Sequence, residues 1–304
     1  MQTCEQYPSP LIQRRQLLAA AVAGLSPLSA QLASAAEDSS IAFPLGIASG
    51  SPAVDGFVLW TRVPPAFDET GRGVLVEWEV WSDRADPSEA VRMRGSVVSR
   101  AEWGYSVHVT VQGLRSDCWY WYRFRVGPDA SEVGGARTLP KEGQDLQELT
   151  MCVASCQRWE DGHYAAYRHM LKEQPDFVLF LGDYIYEYAS RKTGVRTHTE
   201  PHIVDLEGYR RRYALYKSDP ALRAMHAQCT WIITPDDHDV EDNYIGIQSE
   251  KNTPEFRERK RLALQAFYEN MPVRLSENQA MDLLRDSASL PVHQRYWMGQ
   301  LAGL

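Results

Sequence analysis

Asp176–Tyr186 reads DFVLFLGDYIY. A short apolar run rich in Phe, Val and Leu, closed by glycine, predicts a buried β-strand. Behind the glycine stand a carboxylate, Asp183, and three residues later a phenol, Tyr186. Two further runs close in the same way. Leu149–Cys156 (LTMCVASC) ends on Cys156, and Thr230–Asp239 (TWIITPDDHD) ends on Asp236, Asp237 and His238. In an open α/β sheet, ligands and reacting groups collect outside the carboxyl ends of the strands. One acidic residue after an apolar run is commonplace. Three runs ending in a thiol, a carboxylate with a phenol, and paired carboxylates with an imidazole predict one site assembled from three loops, a metal centre.

Helical stretches separate these runs. His163–Gln174 (HYAAYRHMLKEQ) lies between the first two, and Glu207–Ala227 leads to the third behind a long polar insertion, Tyr188–Asp205. A further helix is expected over Pro254–Glu269. Alternating strand and helix predicts parallel strands in βαβ order. Upstream the rhythm changes at a polar hinge, Leu139–Gln147. From Phe43 to about Pro140 the chain reads as short strands, GFVLWTRV, VLVEWEVWS, YSVHVTV and WYWYRFRVG, punctuated by Gly, Pro, Asp and Ser. This predicts a β-sandwich of immunoglobulin or fibronectin-like kind over 43–140, its Trp and Tyr residues serving core and cross-strand packing. A second unit, of α/β kind and carrying the three strand ends, is expected over 148–304.

The amino terminus reads as a targeting segment. Arg14 and Arg15 precede an apolar stretch from Leu17 to about Leu28, and small residues near Ala33–Ala36 offer a cleavage site. The pair in QRRQLL predicts a twin-arginine signal over 1–36, which would engage the twin-arginine export machinery with the protein already folded. The alternative is an ordinary secretory signal. Either route places the mature protein in the periplasm or outside the cell. Cys4 would leave with the signal, and Cys118, Cys152, Cys156 and Cys229 do not read as a disulfide framework.

The 304 residues carry a formal charge of -8 and are 44% hydrophobic. An acidic chain without a Lys/Arg block does not bind nucleic acid by neutralising phosphates. No apolar stretch is long enough to span a bilayer, so no transmembrane segment is expected after processing.

Among the strand-end residues, Asp183 is the strongest candidate for a metal-bridging carboxylate, because a glycine before it leaves room for the side chain to face a cavity. Tyr186, ordinarily a packing residue, becomes a phenolate ligand beside a trivalent iron, which favours the deprotonated oxygen. Cys156 taken alone would read as a small buried apolar residue. Asp236, Asp237, His238 and Asp239 form the least ambiguous cluster, since four ionisable groups closing an apolar strand are costly unless paired or metal-bound. Arg210, Arg211 and Arg212 fall on a helical stretch and read as a solvated face.

These blocks resemble the alkaline phosphatase D family of metallophosphoesterases. FPLGIASGSP and VLWTRV are similar to the opening of its amino-terminal β domain. VASCQ, LGDYIYEY, DDHDVEDNY and AFYENMPVR are similar to successive blocks of its catalytic domain. The resemblance implies an exported alkaline phosphatase or phosphodiesterase on an αββα metallophosphoesterase core, dependent on Fe3+ and Ca2+ and hydrolysing phosphate mono- or diesters through a metal-activated hydroxide. It implies Cys156, Asp183 and Tyr186 as iron ligands, with Asp183 shared with calcium. Asp236 and Asp237 fall where further metal ligands stand, without distinguishing which coordinates directly. His238 would bind phosphate or assist the leaving group, with Asp239 and Asn243 as substrate contacts. Pro235 and Asp242 depart from the family pattern, where tryptophan and asparagine are usual. Family blocks of the LDxRxYR type and later Asp/His motifs do not occur before Leu304, so only the amino-terminal half of the core is expected here. A non-catalytic exported fragment or binding protein, and a phospholipase-type phosphodiesterase on the same scaffold, are the competing readings.

Overall fold

The computed structural model describes residues 41–82, 91–198, 200–244, 253–285 and 294–303. The expected signal segment, 1–36, lies outside the described residues. The alternating amino-terminal runs form β1 (Ile47–Ala53), β2 (Gly56–Arg62), β3 (Val74–Trp81), β4 (Val91–Ser99), β5 (Ser106–Val111), β6 (Trp119–Val126), β7 (Asp129–Ala130) and β8 (Gly134–Arg137). Strands β4-β3-β6-β7 make one sheet, with β8 also paired to β6, and β5-β2-β1 belong to a second. Inward side chains of both sheets, Phe57, Leu59, Val107 and Val111 on one and Val76, Val80, Tyr122 and Phe124 on the other, share one buried cluster. In β3 the alternation leaves one face to polar residues, whereas β1 and β2 are buried on both faces, with Trp60 of β2 donating to the Glu269 carbonyl at 2.9 Å.

The second half supplies β9 (Met151–Ala154), α1 (Ala165–Glu173), β10 (Phe177–Phe180), α2 (Leu206–Lys217), α3 (Pro220–Gln228), β11 (Thr230–Ile233), α4 (Pro254–Asn270), α5 (Glu277–Leu283), β12 (Trp297–Met298) and β13 (Ala302–Gly303). The three strands are parallel, as the alternation predicts: Phe177 stands opposite Met151 on one side and Thr230 on the other. Val178, Phe180 and Trp231 point to a face covered by Tyr167 of α1, Tyr209, Tyr213 and Tyr216 of α2, Leu222 and Met225 of α3, and Phe267 of α4. Phe177 and Ile232 point the other way, against Tyr296 and Met298. No described helix is long and apolar enough to cross a membrane.

The expected helix 207–227 is two helices. Asp219 accepts from the backbone N–H groups of Ala221 (2.9 Å) and Leu222 (3.2 Å), and Pro220 takes the first helical position. An aspartate N-cap followed by proline starts a new helix and stops the old one.

The sheet does not respect the hinge between the halves. β1 pairs in parallel with β11, Ser49 opposite Thr230 and Gly50 opposite Trp231, giving a six-stranded mixed sheet in the order β5-β2-β1-β11-β10-β9. Gly50 makes this approach feasible, because a Cβ there would sit 2.9 Å from the Trp231 carbonyl oxygen of β11 and 2.5 Å from that of Pro272. Arg137 reinforces the joint: its N–H donates to Thr230 Oγ1 (2.8 Å) and its guanidinium bridges Asp117 and Asp176.

Candidate metal centre

The three parallel strands all end on the same side, and the chain turns sharply at each end. Past β9, Cys156 takes a left-handed backbone (φ 53°), its N–H donating to the Gly182 carbonyl at 3.1 Å. Past β10, Gly182 (φ 101°) and Asp183 (φ 54°) are both left-handed. Gly182 is required twice over: its φ disfavours a side chain, and a Cβ would fall 2.3 Å from Asp236 Cβ. Past β11, Asp236 to Asp239 turn through a short 3-10 segment. Strained non-glycine backbone persists only where its surroundings fix it, and two such residues, Cys156 and Asp183, come from different strand ends.

These turns bring together the predicted ligands. Carboxylate oxygens of Asp183, Asp236 and Asp237 all lie within 4.8 Å of one another. The Tyr186 hydroxyl donates to Asp183 Oδ2 at 3.1 Å, and the Cys156 thiol lies near enough to both to lower the Asp183 pKa and raise that of Tyr186. A second group, Asp237, His238 and Asp242, also offers donor atoms within 4.8 Å of one another. Asn243, left-handed at φ 57°, stands exposed at the rim and donates its backbone N–H to Asp237 Oδ2 at 2.5 Å.

The electrostatics fit a cation. Burial raises the pKa of Asp183 and the Asp237 charge adds to this, while His238, Tyr186 and Cys156 pull it down. Tyr186 is pushed up by burial and by the Asp183 carboxylate. Three crowded carboxylates beside a phenol and a thiol repel one another when all are ionised. A hard, highly charged cation reverses that balance and favours every deprotonated form. The donor set therefore fits a trivalent ion at the thiol–phenol–carboxylate side and an oxygen-seeking divalent ion among the carboxylates.

His238 is held by groups that sequence reading did not single out. Glu187, fully buried, faces His238 Nδ1 from Oε2 (3.0 Å) and accepts the Asp242 N–H at Oε1 (2.9 Å). A carboxylate accepts, so Nδ1 carries the proton and Nε2 is the nitrogen left to the site. Burial lowers the His238 pKa, but the Glu187 hydrogen bond and charge, with Asp183 and Asp237, outweigh it and leave it raised. Arg158, two residues after Cys156, lies over the rings of Tyr186 (5.1 Å) and Tyr188 (5.5 Å) and pairs with buried Glu160. Its place just beyond a strand end was the signal that could have found it.

Two expectations need correction. Asp239 does not face substrate. It is fully buried, and its carboxylate accepts from the N–H groups of Tyr184, Ile185 and Asp236 and from the Tyr213 hydroxyl. Burial pushes its pKa up to about 7 against those donors, so the residue ties β10's turn to β11's. Nor do all three helix arginines form a solvated face. Arg211 does, but Arg210 pairs at 2.6 Å with buried Glu269, and fully buried Arg212 donates to the carbonyls of Tyr186, Tyr188 and Pro201. Arg212 is thus a strut beneath the loop that carries Tyr186.

Strand-end carboxylates, a phenol and a thiol gathered at the carboxyl edge of parallel strands form a candidate cation site on an α/β sheet. Residues 151–304 match the PhoD-like phosphatases, residues 29–140 match the N-terminal domain of PhoD-like phosphatases, and the chain belongs to this family. It is 41% identical over 275 residues to alkaline phosphatase D of Bacillus subtilis (strain 168), covering 87% of this chain and 46% of that protein. A solved structure of PhoD superposes with a TM-score of 0.78 at 39% identity, covering 88% of this chain and 52% of that one. The chain spans about half the length of these relatives.

Proposed function

We propose that this chain supplies the metal-binding strand ends of an exported metal-dependent phosphatase or phosphodiesterase. The observation that carries the reading is the convergence of Asp183, Asp236 and Asp237 within 4.8 Å, with Tyr186 bonded to Asp183. In this reading residues 43–140 are an immunoglobulin-like sandwich and 148–304 half of an αββα metallophosphoesterase core. Cys156, Asp183 and Tyr186 would hold iron, while Asp183 with Asp236 and Asp237 would hold calcium. Bound there, the two ions would supply Lewis-acid activation of the phosphate ester and of water.

The protein's own groups then divide the remaining work. Glu187 keeps the proton on His238 Nδ1 and aims the ring, so that Nε2 can meet a phosphate oxygen or a leaving oxygen. Arg158 sets a fixed cation beside the two tyrosine rings, where it can neutralise a phosphate oxygen. Asn243 stands at the rim as a substrate contact. Export through the twin-arginine route to the periplasm or beyond belongs to the same reading and rests on Arg14 and Arg15 before the apolar stretch.

A second reading, binding without turnover, is favoured by one observation: Cys156 and Asp236 are exposed, so the site is open on one side. The experiment that decides uses purified protein supplied with iron and calcium. Metal content is measured, together with hydrolysis of p-nitrophenyl phosphate and of bis-p-nitrophenyl phosphate, for the parent and for Asp183→Asn. The first reading expects bound metal and a rate that falls about 100-fold or more in the variant. Metal bound without hydrolysis supports the second. Metal content unchanged in Asp183→Asn overturns both.

A further inference from the structure

A second cleft, of about 460 Å³, takes no part in the metal centre. Ser51 at the end of β1, Thr110 and Gln112 at the end of β5, Arg274 after α4, and Gln294 and Tyr296 before β12 contribute to its lining. Because β1 runs parallel to β11, Ser51 lies toward the same sheet edge as the turn carrying Asp236.

Three observations converge on Arg274. Ser51 grips it from both ends: its Oγ accepts the Arg274 backbone N–H at 3.0 Å, and its carbonyl accepts from the guanidinium at 3.1 Å. Ser51 does so from a left-handed backbone, φ 43°, which a serine adopts only where its surroundings compel it. Among the described residues the guanidinium forms no ion pair. Burial lowers the Arg274 pKa, and the field of Asp55 opposes this without a contact between the two. Among the described residues no acidic side chain lines the cleft, whose other walls offer hydroxyls and amides beside the apolar surfaces of Pro52 and Leu275. A half-buried guanidinium with donors to spare, held by Ser51 and facing a lining without acidic groups among the described residues, is arranged to receive an oxyanion. The volume suits a small organic molecule.

We propose that this cleft is an oxyanion-binding subsite, in which Arg274 pairs with the carboxylate or phosphate of a small ligand and Thr110, Gln112, Gln294 and Tyr296 bind its polar remainder. The assignment stands independently of the metal centre. Isothermal titration calorimetry of the whole chain with inorganic phosphate, and separately with succinate, tests it. The parent, Arg274→Gln, Gln112→Ala, Thr110→Val and Asp183→Asn are compared, with circular dichroism confirming each fold.

Saturable binding of either probe is expected, weakened about tenfold or more in Arg274→Gln, by a smaller factor in Gln112→Ala and Thr110→Val, and, for succinate, unchanged in Asp183→Asn. Preference for one probe identifies the oxyanion. The proposal fails if neither probe binds the parent, or if affinity is unaltered in folded Arg274→Gln. Should that variant not fold, unaltered affinity in both Gln112→Ala and Thr110→Val overturns it equally, as does loss of all binding in Asp183→Asn.

Discussion

Gly182 and Glu187 do different kinds of work within six residues of chain. At Gly182 the backbone is left-handed and the space is filled by Asp236. Gly182→Ala should cost about 2 kcal/mol or more in urea unfolding, and should weaken metal binding about tenfold by pushing Asp236 away from Asp183. Glu187→Ala leaves His238 Nδ1 and the Asp242 N–H without their acceptor, a loss of about 2–3 kcal/mol. Removing the carboxylate also leaves burial unopposed by its strongest partner, so the His238 pKa should fall, which its ring proton resonances would report. The sign follows from the raised folded value: the pair stabilises fully below the ordinary 6.5, and the gain fades as pH rises through the folded pKa. Of these residues the sequence made legible those that end apolar runs. Asp183 and Tyr186 stand where a strand must stop. Glu187 follows one position later and gives no sign of pointing inward, and Asp239 looks like its neighbours until the turn swings its carboxylate into the core.

Helix α2 lies beneath the site and carries two buried cations. Arg212 spends its donors on loop carbonyls, whereas Lys217 is met by aromatic faces, its Nζ 4.1 Å from the Trp60 ring centroid and 5.4 Å from that of Tyr184. Burial lowers the Lys217 pKa from 10.5 to about 7. The unfolded chain therefore binds one proton more than the folded chain between about pH 7 and 10.5, and stability must rise with pH across that window, by up to about 1.4 kcal/mol per unit. Lys217→Met should remove this slope. Its advantage over the parent in urea unfolding should be largest at and below pH 7 and shrink toward pH 10.5, and an equal advantage at all pH values would refute the argument. Nearby His108 and His226, both held down chiefly by burial and further by the Lys217 charge, would rise slightly in the variant. The helices themselves were readable from periodicity. The break at Asp219–Pro220 was readable too, from its capping chemistry, but a long apolar rhythm running across it hides the stop. Which cations on α2 are buried was not, because that depends on the loops packed over them.

Across the whole molecule, the parallel order of β9, β10 and β11 followed from strand and helix alternation, while the union of the two halves did not. Pairing between β1 and β11 joins residues about 180 positions apart, and nothing in the local pattern of IASGSPA names its partner. Residues 43–140 expressed alone would present β1 as an open edge, and should be recovered aggregated or self-associated. A monomeric, cooperatively unfolding 43–140 fragment would contradict the role given to that pairing. At the opposite end of the sheet, β9 is an edge strand with Val153 60% exposed, and Val153→Lys should lower self-association of the chain in light scattering.

The shared sheet has a consequence for how such proteins diversify. The two halves match separate family descriptions, yet they are not interchangeable modules. A graft of another relative's amino-terminal half would have to bring a strand with glycine opposite Trp231 and a hydroxyl opposite Thr230, together with the arginine that ties Asp176. Recombination at the hinge between them would therefore succeed only between partners whose edge strands already agree, and the two halves should change together, bound by a seam that neither encodes alone.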